Sequence, residues 1–303
     1  MIKLKRILCP TDLSTESDEA LRYAVALAYA YEAELILLHC SQAEASDESG
    51  SSSDRGVSRL FTESLAPHIV ATRQGNLNWR GVIIQEFSDV GQAIVAEADK
   101  QDADLIVMRS RRRPRAAILL GSTAETVSRS ASCPVLVTHP REREWIGRSG
   151  DIDLRRILIA CDFSPDSQLA LNYGLSLAQE YQGEVHVLHV LAKTGHDEPE
   201  LAWSNSTESS AYKFVAQKIQ QSIPKEVFLW CKVVNVVRSG KTHNEVIAYA
   251  RENEIDLICM GASGGDWSLS RAFGSNVDRV LREAPCPVFI ARPVAVTGAM
   301  ASA

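Results

Sequence analysis

Aromatic residues are scarce, at 6% of a 303-residue chain, and no stretch of about 18 uncharged apolar residues occurs, which excludes a helical membrane span. The most apolar helix-like run, Ala20 to Tyr31, contains Arg22 and is followed by Glu32 and Glu34. The opening "MIKLKRILCPTD" has too short an apolar run for a signal peptide, so a cytoplasmic protein is expected. Basic excess is lacking too. A net charge of −6 and a pI near 5.7 argue against nucleic acid as the main partner. The seven cysteines form no C-x-x-C pair. Cys9, Cys40, Cys161 and Cys259 fall within or at the end of aliphatic, strand-like runs, the setting of reduced, buried thiols. His39 beside Cys40 is the one tempting metal pair, but adjacent strand residues point to opposite faces, so no metal site is expected.

Catalytic signatures are equally sparse. There is no G-x-x-x-x-G-K-[ST], no H-E-x-x-H and no G-x-S-x-G. His39 and His189 end apolar strands, where a structural role is the commoner one. His243 opens a helix and could approach a ligand, with no nucleophile near it in sequence. No catalytic residue is assigned.

What the chain does have is a duplicate of itself. "RILCPTDLSTESDEALRYAVALAYAYEAELILLHC" (Arg6–Cys40) lies over "RILIACDFSPDSQLALNYGLSLAQEYQGEVHVLHV" (Arg156–Val190) without a gap. Asp12/Asp162, Ser14/Ser164, Ser17/Ser167, Tyr23/Tyr173 and His39/His189 are identical. "DADLIVM" (Asp102–Met108) answers to "EIDLICM" (Glu254–Met260), and "SCPVLVTH" to "PCPVFIAR". Two homologous domains follow, 1–142 and 152–294, with the hinge in "REREWIGRSGD" (Arg141–Asp151).

Within each repeat the hydrophobic period alternates. Ile7–Pro10 and Ile157–Cys161 are short continuous apolar runs, as for strands buried on both faces. Ser14 or Ser17 can then cap a helix carrying Leu21, Val25 and Ala28. Glu34–Cys40 reads as a strand, and the serine-rich Ser41–Gly56 as a mobile loop. Arg59–Thr72 reads as a helix, Gly81–Phe87 as a strand, Gly91–Gln101 as a helix and Leu105–Met108 as a strand. A helix to Ser130 and the strand Val135–Thr138 complete the unit. The second repeat follows the same order, its mobile stretch at Thr194–Ser210. Strands alternating with helices imply right-handed crossovers and a five-stranded parallel sheet covered on both faces. Such sheets bind ligands beyond the carboxyl ends of their strands.

At such an end the second repeat reads "MGASGGDWSLSRAFGS" (Met260–Ser275): Gly261-x-x-Gly264, nine residues, then Gly274-Ser275. Glycines let backbone N–H groups close on a phosphate. Gly274-Ser275 should open a helix whose free N–H groups favour an anion. Ala160 and Val190 are placed to pack on a base, and Asp162 to accept from a ribose hydroxyl or hold a metal through water.

With these residues in view the chain resembles a tandem member of the universal stress protein superfamily, whose nucleotide signature is G-x-x-G, nine residues, G-[ST]. The likeness covers nearly the whole chain, twice, with "ILCPTD" and "ILIACDFS" at the first strands and "CPVLV" and "CPVFI" at the last. It implies two Rossmann-like, adenine nucleotide alpha hydrolase-like α/β domains packed as an intramolecular pseudo-dimer through Val135–Thr138 and Val288–Ala291. It also implies ATP, with or without Mg2+, in the second domain. Carried over by position, the adenosine side is Ala160, Cys161, Asp162 and Val190. The phosphate side is Met260, Gly261, Gly264, Gly274, Ser275 and Asn276. Implied partners are an adenine nucleotide, an unidentified protein and a second copy of the chain in a homodimer.

The first repeat departs from the signature. In "MRSRRRPRAAILLGS" (Met108–Ser122) the glycine positions hold Arg109 and Arg112, and a long side chain rooted there should fill the phosphate space. Arg109–Arg115 reads as a solvated basic loop that has lost its ligand, or as an anion or acidic-partner site of another kind. The expected function is a nucleotide-binding stress-response regulator acting through protein interactions. A slow ATPase or nucleotidyl transferase and a nucleotide-free scaffold are the alternatives.

Overall fold

The computed structural model describes residues 2–41, 50–72, 76–110, 121–139, 143–147, 149–191, 205–263 and 273–292. The chain divides into two units: Lys3–Pro140 with Ile146–Asp153 and the stretch from Arg292, and Leu154–Ala291 with Met1–Ile2 and Arg141–Trp145.

In the N-terminal unit the elements run β1 (Arg6–Pro10), α1 (Asp18–Ala30), β2 (Glu34–Cys40), α2 (Gly50–Thr72), β3 (Trp79–Ile84), α3 (Val90–Lys100), β4 (Leu105–Arg109), α4 (Ser122–Ser130) and β5 (Val135–Thr138). The C-terminal unit repeats them as β6 (Arg156–Ala160), α5 (Pro165–Tyr181), β7 (Glu184–Leu191), α6 (Asn205–Ser222), β8 (Val233–Ser239), α7 (Thr242–Glu252), β9 (Leu257–Gly261), α8 (Ser275–Glu283) and β10 (Val288–Ala291). A 3-10 turn, Lys225–Leu229, precedes β8.

Every strand pair within a unit is parallel, in the order β3-β2-β1-β4-β5 and β10-β9-β6-β7-β8. The expected doubly covered α/β sheet is therefore present in each unit. Central strands are apolar on both faces, as their unbroken runs require: Ile7, Leu8 and Cys9 are fully buried, as are Ile157, Leu158 and Ile159. Burial pushes the Cys9 thiol up to about 12 and the Cys259 thiol higher still, so neither ionises at neutral pH.

One carboxylate sets the entry of each first strand. Asp104 Oδ2 accepts from Lys5 N–H at 2.7 Å and Arg6 N–H at 2.9 Å. Asp256 Oδ2 does the same for Arg155 at 3.0 Å and Arg156 at 2.8 Å, and its Oδ1 holds Arg143 Nε at 2.8 Å.

Three sequence expectations need correction. Gly50–Gly56 and Asn205–Ser210 are helical, not loop. Phe61 and Leu65 anchor α2, and Val215, Ile219 and Ile223 anchor the α6 segment. From such a nucleus a helix extends through serine-rich sequence at low cost. The third strand runs Trp79–Ile84 rather than Gly81–Phe87. At Gly81 the Phe61 ring of α2 lies 2.5 Å from where a Cβ would stand, so any larger residue here would have to displace that ring. At the end of the expected hinge, Ile146 bridges Ile152 in antiparallel fashion, closed by Gly147 N–H to Asp151 C=O at 2.8 Å.

Candidate functional site

Three strand ends and one helix start meet in the C-terminal unit. Ala160 ends β6, and Cys161 and Asp162 follow it; Val190 lies near the end of β7; Met260 and Gly261 end β9; Gly274 is the N-cap of α8. A cavity of about 120 Å3 is lined by eight of the expected residues: Ala160, Cys161, Asp162, Val190, Met260, Gly261, Gly274 and Asn276. Ser275, first residue of α8, does not line it, and Gly264 lies outside the described residues.

Sequence reasoning missed Leu188, Ser167, Thr242, Val246 and Ser263 on the same wall. Ser167 could have been found from its identity with Ser17. Thr242 and Val246, a turn apart at the start of the α7 segment, carry the apolar spacing of a helix facing strand ends.

Asp162 is exposed, and its Oδ1 accepts Ser164 N–H at 2.9 Å. Between them Phe163 adopts φ of +65°, as Leu13 does at +61° in the first repeat. Bulky residues rarely enter this region, and here it turns the chain from strand end to helix start. Ser164 then caps α5, accepting Ser167 N–H at 3.1 Å; its counterpart Ser14 likewise accepts Ser17 N–H at 3.3 Å, although α1 starts later, at Asp18.

The Phe163 ring stacks on His189 at 4.8 Å, with Lys218 Nζ 4.1 Å from its centre. His189 Nδ1 bonds Cys161 C=O at 2.8 Å, and His39 Nδ1 bonds Thr11 C=O at 2.9 Å. His189 also lines the cavity. His243 Nε2 lies 3.3 Å from Arg279 Nη1 on α8. Burial raises the Cys161 thiol, against the opposing pull of Phe163 N–H and Ser167.

Gly261 has a reason the sequence did not show. A Cβ there would lie 2.6 Å from the Asp166 carbonyl carbon and 2.8 Å from its oxygen, closer than real Cβ contacts. This glycine admits the N-terminus of α5. The N-terminal unit has Arg109 at this position, and α1 begins at Asp18, three places later than the Thr15 that aligns with Pro165.

At α8 the first intrahelical bond is Asp278 N–H to Gly274 C=O. The N–H groups of Ser275, Asn276 and Val277 therefore have no acceptor within the helix and carry its positive end. Gly274 N–H is already spent on Ala262 C=O at 3.1 Å. The ends of β6, β7 and β9 and the anion-favouring helix end thus face one crevice. The described walls enclose about 120 Å3, less than the roughly 300–1,000 Å3 of a whole-ligand pocket.

The matching place in the N-terminal unit holds a larger cavity, about 520 Å3, lined by Pro10, Asp12, Ser14, Cys40, Met108, Arg109 and the start of α4 among others. Arg109 does not fill it, contrary to the sequence expectation. Its Nη1 donates to Glu16 C=O and its Nε lies 3.4 Å from Glu19, so the guanidinium is drawn onto the approach to α1. Residues 111–120, including Arg112, lie outside the described residues. Among the described residues no group of three or more His, Cys, Asp or Glu could hold a metal ion, and no helix is long and apolar enough to cross a membrane.

The sequence matches the Universal stress protein family twice, over residues 3–139 and 153–292. A universal stress protein of Methanocaldococcus jannaschii is 26% identical over 146 residues, 48% of this chain and 86% of that one. One from Mycolicibacterium smegmatis is 22% identical over 305 residues, covering 95% and 97%. The crystal structure of a universal stress protein from Archaeoglobus fulgidus superposes with a TM-score of 0.63 at 22% identity, covering 96% of this chain and 99% of that one. A putative universal stress protein from Pseudomonas aeruginosa gives 0.66 at 17%, covering 96% and 94%.

Proposed function

Because this chain belongs to the Universal stress protein family, we propose that its C-terminal unit binds ATP and serves as a nucleotide-dependent regulator recognised by other proteins. The observation that carries this reading is the convergence of Ala160, Asp162, Val190 and Met260 with the N-terminus of α8 on one cavity. Ala160 and Val190 pack against the base. Asp162 accepts from a ribose hydroxyl or holds Mg2+ through water. The Ser275, Asn276 and Val277 amides face phosphate oxygens. The helix end supplies roughly 0.3–2 kcal/mol. Micromolar affinity needs about 8 kcal/mol, so base and ribose contribute most.

Binding without rapid turnover is the reading the side chains favour. His189 and His243 are engaged with Cys161 C=O and Arg279, and the Cys161 thiol is raised by burial. None of the three is poised as a base for an attacking water. Calorimetry with ATP, beside an assay of phosphate release, tests this. Saturable binding with no phosphate released is expected. No binding, or release abolished by Asp162→Ala, overturns it.

A second reading has its own observation. The cavity of about 520 Å3 beside Asp12, with Arg109 drawn aside, favours a ligand in the N-terminal unit as well. A calorimetric stoichiometry of two rather than one per chain would establish it.

A further inference from the structure

The amides that would face a phosphate are useful only if the start of α8 is held in a fixed place. In the C-terminal unit a carboxylate fixes it. Asp166, in the first turn of α5, accepts Ser263 N–H at 3.0 Å and also Ser263 Oγ–H, across 97 positions of sequence. This approach is possible because Gly261, two residues earlier, has no side chain where Asp166 stands. The next residue back from Ser263 completes the path: Ala262 C=O receives Gly274 N–H at 3.1 Å, and Gly274 is the N-cap of α8. Asp166 itself is not among the residues lining the cavity.

Among the described residues the N-terminal unit is built differently. Arg109 replaces Gly261, and the carbonyl of Glu16, counterpart of Asp166, takes the Arg109 guanidinium. Ser110, counterpart of Ala262, continues the sheet instead, donating its N–H to Thr138 C=O at 2.9 Å. One repeat ties the chain after its fourth strand to the neighbouring strand; the other ties it to the first helix.

We propose that Asp166 is a positioning residue for the phosphate side of the C-terminal site. It fixes Ser263 and, through Ala262 and Gly274, the exposed amides of α8, without touching the ligand. The inference rests on the nucleotide reading above for its ligand, though not for its geometry. Donors held in place before binding spare the ligand the cost of ordering them, and a carboxylate acceptor makes the tie a charge-assisted one.

The test compares Asp166→Ala with Asp166→Asn, whose side-chain carbonyl can still accept both bonds. The readouts are ATP affinity by calorimetry and, in ligand-free protein, amide exchange at Ser263 and Gly274 by NMR. In Asp166→Ala the ATP Kd should rise about tenfold, the equivalent of about 1.4 kcal/mol, and both amides should exchange faster while those of β6 and β9 do not. Asp166→Asn should restore both readouts to near wild type. Ser263→Ala, which removes one donor and spares α5, should move them the same way by less. Unchanged ATP affinity or unchanged Gly274 exchange in Asp166→Ala overturns the proposal, as does an Asn variant that rescues neither. Should the wild-type protein bind no ATP, the nucleotide reading falls with the ligand part of this one. The exchange data then decide the anchoring alone.

Discussion

Gly261 carries more than one demand. Its missing Cβ leaves room for the Asp166 backbone, and Arg109 shows what the fold does when a side chain occupies the place. Gly261→Arg should therefore keep the sheet while displacing the start of α5 and releasing Ser263. ATP binding should be lost by calorimetry, with circular dichroism close to wild type; retained affinity would place the site elsewhere.

His186 offers a residue-scale test of electrostatics. It is buried, its Nδ1 2.6 Å from Tyr249 Oη and its Nε2 3.1 Å from Glu184 Oε1. Burial lowers its pKa below the usual 6.5, Glu184 opposes, and Lys232 and Arg156 add to the lowering. A histidine depressed in the fold binds fewer protons there than in the unfolded chain. Its contribution is thus complete above pH 6.5 and is lost as pH falls through the folded value. Urea unfolding of wild type should show stability declining on acidification below pH 6.5, and His186→Gln should flatten that decline.

At the scale of elements, the repeats pack the same helix against the same strand with different volumes. Gly174 in α5 has no room for a Cβ, which would sit 2.6 Å from Ile159 Cδ1 and 2.8 Å from its Cγ1. The first repeat holds Ala24 at the helix position and the smaller Cys9 at the strand position. Gly174→Ala should gain helix propensity but overpack, a net loss of about 1 kcal/mol. Ile159→Val in the same chain should recover part of it, a coupling that a double-mutant cycle in denaturant would measure. Additive losses would refute the pairing.

The elements also mark how far the sequence could be read. The order of strands and helices was legible because the apolar period changes so clearly, from the unbroken run at Ile157–Ile159 to the helical spacing of Leu171, Leu175 and Ala178. The starts of α2 and α6 were not, because serine-rich composition speaks only of local preference, and buried Phe61 or Ile219 overrides it from several turns away. At the site, the glycine spacing pointed to the end of β9, where a cavity lies. The Asp166–Ser263 tie was hidden, since nothing local links residues so distant in sequence. Arg109 showed the same limit: its length was plain, its direction towards Glu16 and Glu19 was not.

For the whole molecule, ligand binding is coupled to folding by mass action. ATP at a hundredfold excess over Kd should stabilise the native state by about 2.7 kcal/mol. That corresponds to a rise of roughly 5–10 °C in Tm for a unit of this size. Differential scanning calorimetry with and without ATP checks it, and an unmoved transition would speak for a scaffold that takes no nucleotide.

The clamp of Asp104 on Lys5 and Arg6 spans 99 and 98 positions, and that of Asp256 on Arg155 and Arg156 spans 101 and 100. During translation at about 5–20 residues per second, the strand made first must wait several seconds for the carboxylate that seats it. Until then the first strand of each half lacks the carboxylate that seats it.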